Sequence, residues 1–237
     1  MDLTELKHKV AQAVPFHSFV AVAGSHCYGI ATDRSDIDVR GFYFHSNPSE
    51  ILGFRRNERL VSVEGYDSSI WEAGHFFRMA AAANPNVIET LWIDKKYWLG
   101  CSSYIGMSVV SSRDHFMSKR IAKTFIGYAK GCLSRLEKKW DPKDASHLLR
   151  LVNSGLEAIR TGKLQVDRTG IDSGLLLEIK NKTTDDGSTL SMMKLKIEWA
   201  EQGMHDAIKS SPLPDEPDEK YLEKVLVDLY ERSLGYS

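Results

Sequence analysis

The amino-acid sequence predicts an α+β protein, with a mixed sheet and flanking helices in residues 1–112 and an all-helical unit in residues 113–237. Three observations lead there. Short apolar runs rich in β-branched and aromatic residues cluster in the first half. Helical periodicity takes over near residue 112 and persists from there. Proline and glycine stand where one segment gives way to the next. With 42% hydrophobic and 27% charged residues over 237 positions, the chain can bury roughly 70% of its unfolded surface and needs no disulfide or metal staple.

Leu3, Leu6, Val10 and Val14 fall at helical spacing and place an amphipathic helix over 3–14, which Pro15 stops. FVAVAG at 19–24 reads as a buried strand ending in glycine, IDVRGFYF at 37–44 as a second strand and LVSVEGYD at 60–67 as a third. The linking SHCYGIATDRSD has room for a short helix or a tight turn. SSIWEAGHFFRMAAAA, 68–83, reads as a helix with Ser69 and Glu72 in a capping box. Asn84-Pro85 ends it and opens the next helix, over NVIETLW. Helical patterns follow over 114–139, 143–161, 171–180, 188–209 and 219–233. Pro142 divides the first two, Gly162 stops the second, and SPLPDEP forms a rigid connector before the last.

The 31 Lys+Arg nearly balance the 32 Asp+Glu, but unevenly along the chain. Residues 113–163 hold 12 basic and 5 acidic side chains, whereas residues 211–237 hold 3 and 7. A basic block suits a polyanion such as a nucleoside triphosphate or RNA; a solvated helix surface explains it equally well. No run of 18 apolar residues occurs, and MDLTELKHKVAQAV is charged and amphipathic rather than a leader. Three distant cysteines form neither a disulfide framework nor a zinc pattern. The expectation is a cytoplasmic protein without a membrane partner.

The informative segment is GSHCYGIATDRSDIDVRG, residues 24–41. Side chains two apart on a strand share a face, so Asp36 and Asp38 aim two carboxylates at one place. Their repulsion is relieved by a divalent cation, and hard oxygen donors suit Mg²⁺ or Mn²⁺. A pair of such metals stabilises the attacking and leaving oxygens of a phosphoryl transfer. Gly24 lets the backbone approach a phosphate, a helix start after it would offer free N–H groups, and the Ser25 hydroxyl adds a donor. Arg40 points to the face of the aspartate pair, either to contact a phosphate or to neutralise the carboxylates. A lone Gly-Ser or a lone Asp-x-Asp carries little information; the two together, between apolar strands, are far more specific.

This segment resembles the signature of the DNA polymerase β-like nucleotidyltransferase superfamily: an apolar strand, Gly-Ser, about ten residues, then Asp-x-Asp on a strand. The longer string resembles the predicted nucleotidyltransferase branch associated with RNA repair, with Tyr28, Gly29, Ser35, Arg40 and Gly41 matching. NPNVIETLW and SHLLRLV resemble later segments of that branch, so the likeness spans residues 19–160. It implies a nucleotidyltransferase-type sheet in the first unit and a third metal-binding carboxylate on a later strand. Glu64, Asp67 and Glu72 compete for that role. Asp67, at the end of the predicted third strand, is preferred, although a helix N-cap explains it too. Glu72 comes second.

Lys143, His147 and Arg150 fall at i, i+4 and i+7, one helix face that would hold nucleotide or acceptor phosphate; an exposed basic stripe is the alternative. Lys119, Arg120 and Lys123 form a weaker set. Tyr28 would stack on a base or simply pack. The expected activity is metal-dependent transfer of a nucleoside monophosphate from an NTP to a hydroxyl, with an RNA 3′ end as a candidate acceptor. Asp36, Asp38 and Asp67 would hold the metal. Gly24, Ser25, Arg40, Lys143, His147 and Arg150 would hold the nucleotide. A non-catalytic nucleotide-binding or antitoxin-like protein on the same fold is the competing expectation.

Overall fold

The computed structural model describes residues 3–51, 60–101, 103–185 and 187–235. Helix α1 (Thr4–Ala13) leads into β1 (Ser18–Ala23), the one-turn α2 (Gly24–Cys27) and β2 (Asp38–Tyr43). After α3 (Pro48–Ile51) come β3 (Leu60–Val61), β4 (Asp67–Glu72), α4 (Ala73–Ala81), α5 (Pro85–Ile88), β5 (Trp98–Cys101) and α6 (Ser103–Ser111). The rest is helical: α7 (Arg120–Leu136), α8 (Pro142–Thr161), α9 (Ser173–Lys180), α10 (Ser188–Ile208) and α11 (Glu219–Ser233). The fold is α+β, as the change of periodicity predicts. Among the described residues no helix is long and apolar enough to cross a membrane.

The sheet is mixed, in the order β3-β4-β2-β1-β5. β1 pairs antiparallel with β2 and β5, while β2 and β4 run parallel. A parallel pair needs a crossover between its strands. β1 is buried throughout, as an apolar run at the centre of a covered sheet should be. Its alternating side chains feed two cores. Val20 and Val22 join Val39, Ile70 and the Leu6–Val10 face of α1. Phe19, Ala21 and Ala23 join Phe42, Phe76 and the C-terminal helices. That second cluster is continuous from β1 to α11.

α8 is the spine of the helical part. Asp141 accepts from Lys143 N at 2.8 Å as its N-cap, and Gly162 ends it in the left-handed conformation (φ 71°). Leu148, Leu149, Leu151, Val152, Leu156 and Ile159 are all buried, so the helix is enclosed on most of its circumference. At Gly155 a Cβ would press on Phe125 of α7 and Met204 of α10, both 2.8 Å away, so the missing side chain sets how closely the three helices pack.

Two local expectations are corrected. Residues 67–72 form strand β4, not the start of a helix, and α4 begins only at Ala73. The Ser69–Glu72 capping box therefore does not form. Glu72 is itself the N-cap, accepting from Gly74 N at 2.8 Å and His75 N at 3.0 Å. Strand β5 and helix α6 lie in a stretch where the sequence pattern marked no element.

Candidate active site

A cleft of about 400 Å³ opens where the N-terminal ends of β2 and β4 meet α8 and α9. The sheet side is built around Gly24. Its φ of 62° is left-handed, and a Cβ there would overlap the Asp38 carboxylate. Only a bare backbone can pass so close to that carboxylate.

Asp38 opens β2 and stands in register with Asp67, which opens the parallel β4. Paired residues on neighbouring strands share a face, and both line the cleft. Asp67 thus begins a strand where the sequence placed it at the end of one, and no helix follows for it to cap. Asp36 lies outside β2, in the loop before it, so the aspartates do not share a strand. The loop nonetheless delivers Asp36 to the same cleft. Glu72 spends its carboxylate on the α4 N-terminus, and Glu64 lies exposed outside the cleft.

Burial holds the Asp38 carboxyl above its usual range, and the nearby Asp67 and Asp36 push the same way, against Arg40 and Lys143. Among the described residues no three His, Cys, Asp or Glu side chains converge as a ready-made metal cage. Mg²⁺ does not need one, since it is commonly held by one or two carboxylates together with substrate phosphates and water. An all-oxygen donor set with crowded negative charge beside an open cleft fits such an ion.

The facing wall comes from α8, which presents Lys143, Ser146, His147 and Arg150. Lys143 Nζ donates to Asp36 Oδ2 at 3.2 Å. Arg150 is different. It is wholly buried, ion-paired with the buried Glu89, and its guanidinium lies 3.8 Å from the Tyr28 ring centre. The Tyr28 hydroxyl donates to Glu89 Oε2 at 2.9 Å. Arg150 forms the floor of the cleft, with its charge answered from within, rather than an exposed basic stripe. Tyr28 is packed against it, buried, and is not a free stacking platform.

Arg150 Nη2 lies 3.2 Å from His147 Nδ1. A guanidinium can only donate, so Nδ1 accepts, and a neutral His147 carries its proton on Nε2. Burial, with Arg150 and Arg40 adding, holds His147 well below the usual imidazole range. Arg40 itself donates from Nη1 to the Asn86 carbonyl at 3.2 Å, tying β2 to the Asn-Pro-Asn turn.

The residue that sequence reasoning missed is Lys180, the last residue of α9. It lines the cleft and donates to Ser25 Oγ at 2.8 Å, Ile30 O at 2.9 Å and Ser35 Oγ at 2.9 Å. No local signal could find it, because its partners lie 145 to 155 residues away.

Part of the basic middle of the chain is answered by acids. Lys119 pairs with Asp215 at 2.8 Å, Arg120 with Glu216 and Glu219, Lys130 with Glu201 at 2.6 Å, and Arg135 with Asp144 at 2.6 Å. Lys123 stays exposed.

No curated protein and no solved structure matches the chain. A family model does, that of the RNA repair pathway DNA polymerase beta family, over residues 2–228. A polymerase β-type family points to nucleotidyltransferase-related function. The matched span takes in both walls of the cleft, the strand ends with Asp38 and Asp67 and the helices with Lys143 and Lys180, so the likeness is not confined to a short motif. This chain belongs to the RNA repair pathway DNA polymerase beta family.

Proposed function

We propose that the protein is a metal-dependent nucleotidyltransferase that moves a nucleoside monophosphate from an NTP to a hydroxyl acceptor, with an RNA 3′ end as the preferred acceptor. One observation carries this reading: Gly24, Ser25, Asp36, Asp38 and Asp67 open into one cleft, faced by Lys143, His147 and Lys180. Carboxylates on one side and cations on the other suit a metal-bound triphosphate. The family description supports the RNA acceptor.

In the reaction the acceptor oxygen attacks the α-phosphorus. The bond from that phosphorus to the oxygen bridging to the β-phosphate breaks, and pyrophosphate leaves. Asp36, Asp38 and Asp67 would hold Mg²⁺ or Mn²⁺, which when bound draws charge from the phosphate oxygens. Asp67 would also accept the hydroxyl proton. Gly24 and Ser25 cradle the triphosphate, Arg40 and Lys143 balance its charge, and His147 offers Nε2–H as a neutral donor. Arg150 supports Tyr28 and His147 from beneath.

The test is incubation with each of the four labelled NTPs, Mg²⁺ and either bulk RNA or bulk protein, with Asp38→Asn as the control. Label in RNA that disappears in the variant is the expected result. Label in protein alone replaces the acceptor. Free monophosphate means hydrolysis, and NTP binding without any transfer means a nucleotide-binding regulator.

A further inference from the structure

Lys180 gives all three of its ammonium hydrogens to uncharged oxygens and makes no ion pair among the described residues. It is half-buried, and burial, with Lys143 adding, lowers its pKa against the opposing pull of Asp38 and Asp36. A cation is thus held at the cleft wall without a carboxylate of its own. The rest of α9 is anchored to keep it there. Ser146 Oγ donates to the Leu176 carbonyl at 3.0 Å, and Asp172, just ahead of the helix, is gripped by Arg168 and by Asn153 at 2.7 Å.

The three acceptors sit at the start, middle and end of the segment that runs from the Gly-Ser turn to Asp36. The ammonium has no acceptor to offer, so Ser25 Oγ must receive. The hydrogen of that hydroxyl then points away from Lys180. Ser25 lines the cleft. A hydroxyl that already accepts from a cation is a stronger donor, because the two bonds polarise one another.

We propose that Lys180 is the positioning residue of the nucleotide loop, holding Ser25 so that its hydroxyl donates to a phosphate oxygen of the bound polyphosphate. The inference rests on the triphosphate-binding reading of the cleft and deepens it. It assigns the charge of Lys180, which makes no direct ion pair among the described residues, to the anion that Ser25 receives.

The experiment is a calorimetric titration of the full-length protein with Mg²⁺–pyrophosphate, Mg²⁺–ATP and adenosine. The proteins are wild type, Lys180→Gln, Ser25→Ala and the double variant. Losing a charge-assisted donor should weaken pyrophosphate and ATP binding about tenfold or more in Lys180→Gln. Adenosine binding should not change. Because Lys180 acts through Ser25, the double variant should lose little more than the worse single one. If Lys180→Gln does not fold, Lys180→Met, of similar length, carries the same expectation. Unchanged pyrophosphate affinity in a folded Lys180 variant overturns the proposal. So do strictly additive losses, or an equal loss of adenosine binding. Failure of the wild type to bind any of the phosphates overturns both this proposal and the proposed function.

Discussion

Asp38 and Asp67 face each other across the β2–β4 pair, each the first residue of its strand. Parallel strands lie about 4.8 Å apart, so the carboxylates crowd one another at the N-terminal ends of the two strands. The fold tolerates this arrangement without benefiting from it.

The expected outcome is that Asp38→Asn melts at or above the wild-type temperature at pH 7 without Mg²⁺. Asp38 has its folded pKa raised, by burial first and by its acidic neighbours second. The native state therefore binds that proton more tightly than the unfolded chain does. The penalty is complete above the folded pKa and vanishes as pH falls toward the unfolded value of about 3.9. Melting curves against pH should be flatter for Asp38→Asn over that window. Wild type should gain thermal stability from Mg²⁺ with NTP, and Asp38→Asn should gain less. Equal gains would argue against metal binding here.

Gly24 and Gly170 separate two effects of a positive φ. Both are left-handed, at 62° and 74°, but a Cβ at Gly170 meets open space while one at Gly24 meets the Asp38 carboxylate. Gly170→Ala should lose about 1–2 kcal/mol from backbone strain alone and keep its nucleotide affinity. Gly24→Ala should lose more and bind nucleotide poorly, because Asp38 must move. Chemical denaturation with NTP titration reads both. Matching behaviour of the two variants would remove the special role of Gly24.

Breaking the Glu89–Arg150 pair from one side leaves a buried charge. Arg150→Met and Glu89→Leu should each destabilise the protein by about 3–5 kcal/mol. The double variant should recover part of that loss. A fully stable Arg150→Met with selectively weakened NTP binding would instead make Arg150 a direct phosphate ligand.

Salt dependence locates any RNA contact. Each phosphate neutralised on a single strand contributes about −0.7 to the slope of log affinity against log salt. Lys143→Ala should flatten the slope by about that amount, whereas Arg150, enclosed and already paired, should not contribute. Glu216→Gln together with Glu219→Gln, which frees Arg120 of α7 from both its partners, should strengthen RNA binding and steepen the slope if the basic helix carries the strand. Filter binding across salt concentrations decides both.

The fold was legible because its signals were local. The Gly24–Gly41 string, the cap at Asn84, the break at Pro142 and the stop at Gly162 each act within a few residues. What could not be read was long-range. Lys143, His147 and Arg150 share a helix face, and all reach the cleft, but periodicity cannot say that helix packing encloses α8 and that Glu89 waits for Arg150. Asp67 and Glu72 were both candidates until strand pairing placed one beside Asp38 and capping engaged the other. β5 is a short edge strand, and its pairing to β1 is a tertiary fact rather than a pattern in WLGC. Lys180 looked like the end of an ordinary helix.

The bond between Lys180 and Ser35 spans 145 positions. A ribosome adding about 5–20 residues per second needs roughly 7–30 s to travel from one to the other. During that interval Asp36 and Asp38 have already been synthesised while the loop beside them lacks its brace. A nascent or truncated chain ending before α9 therefore carries the acidic residues without the fastening that shapes the loop around them. A chain truncated before α9 should therefore bind Mg²⁺–pyrophosphate more weakly than the full-length protein does.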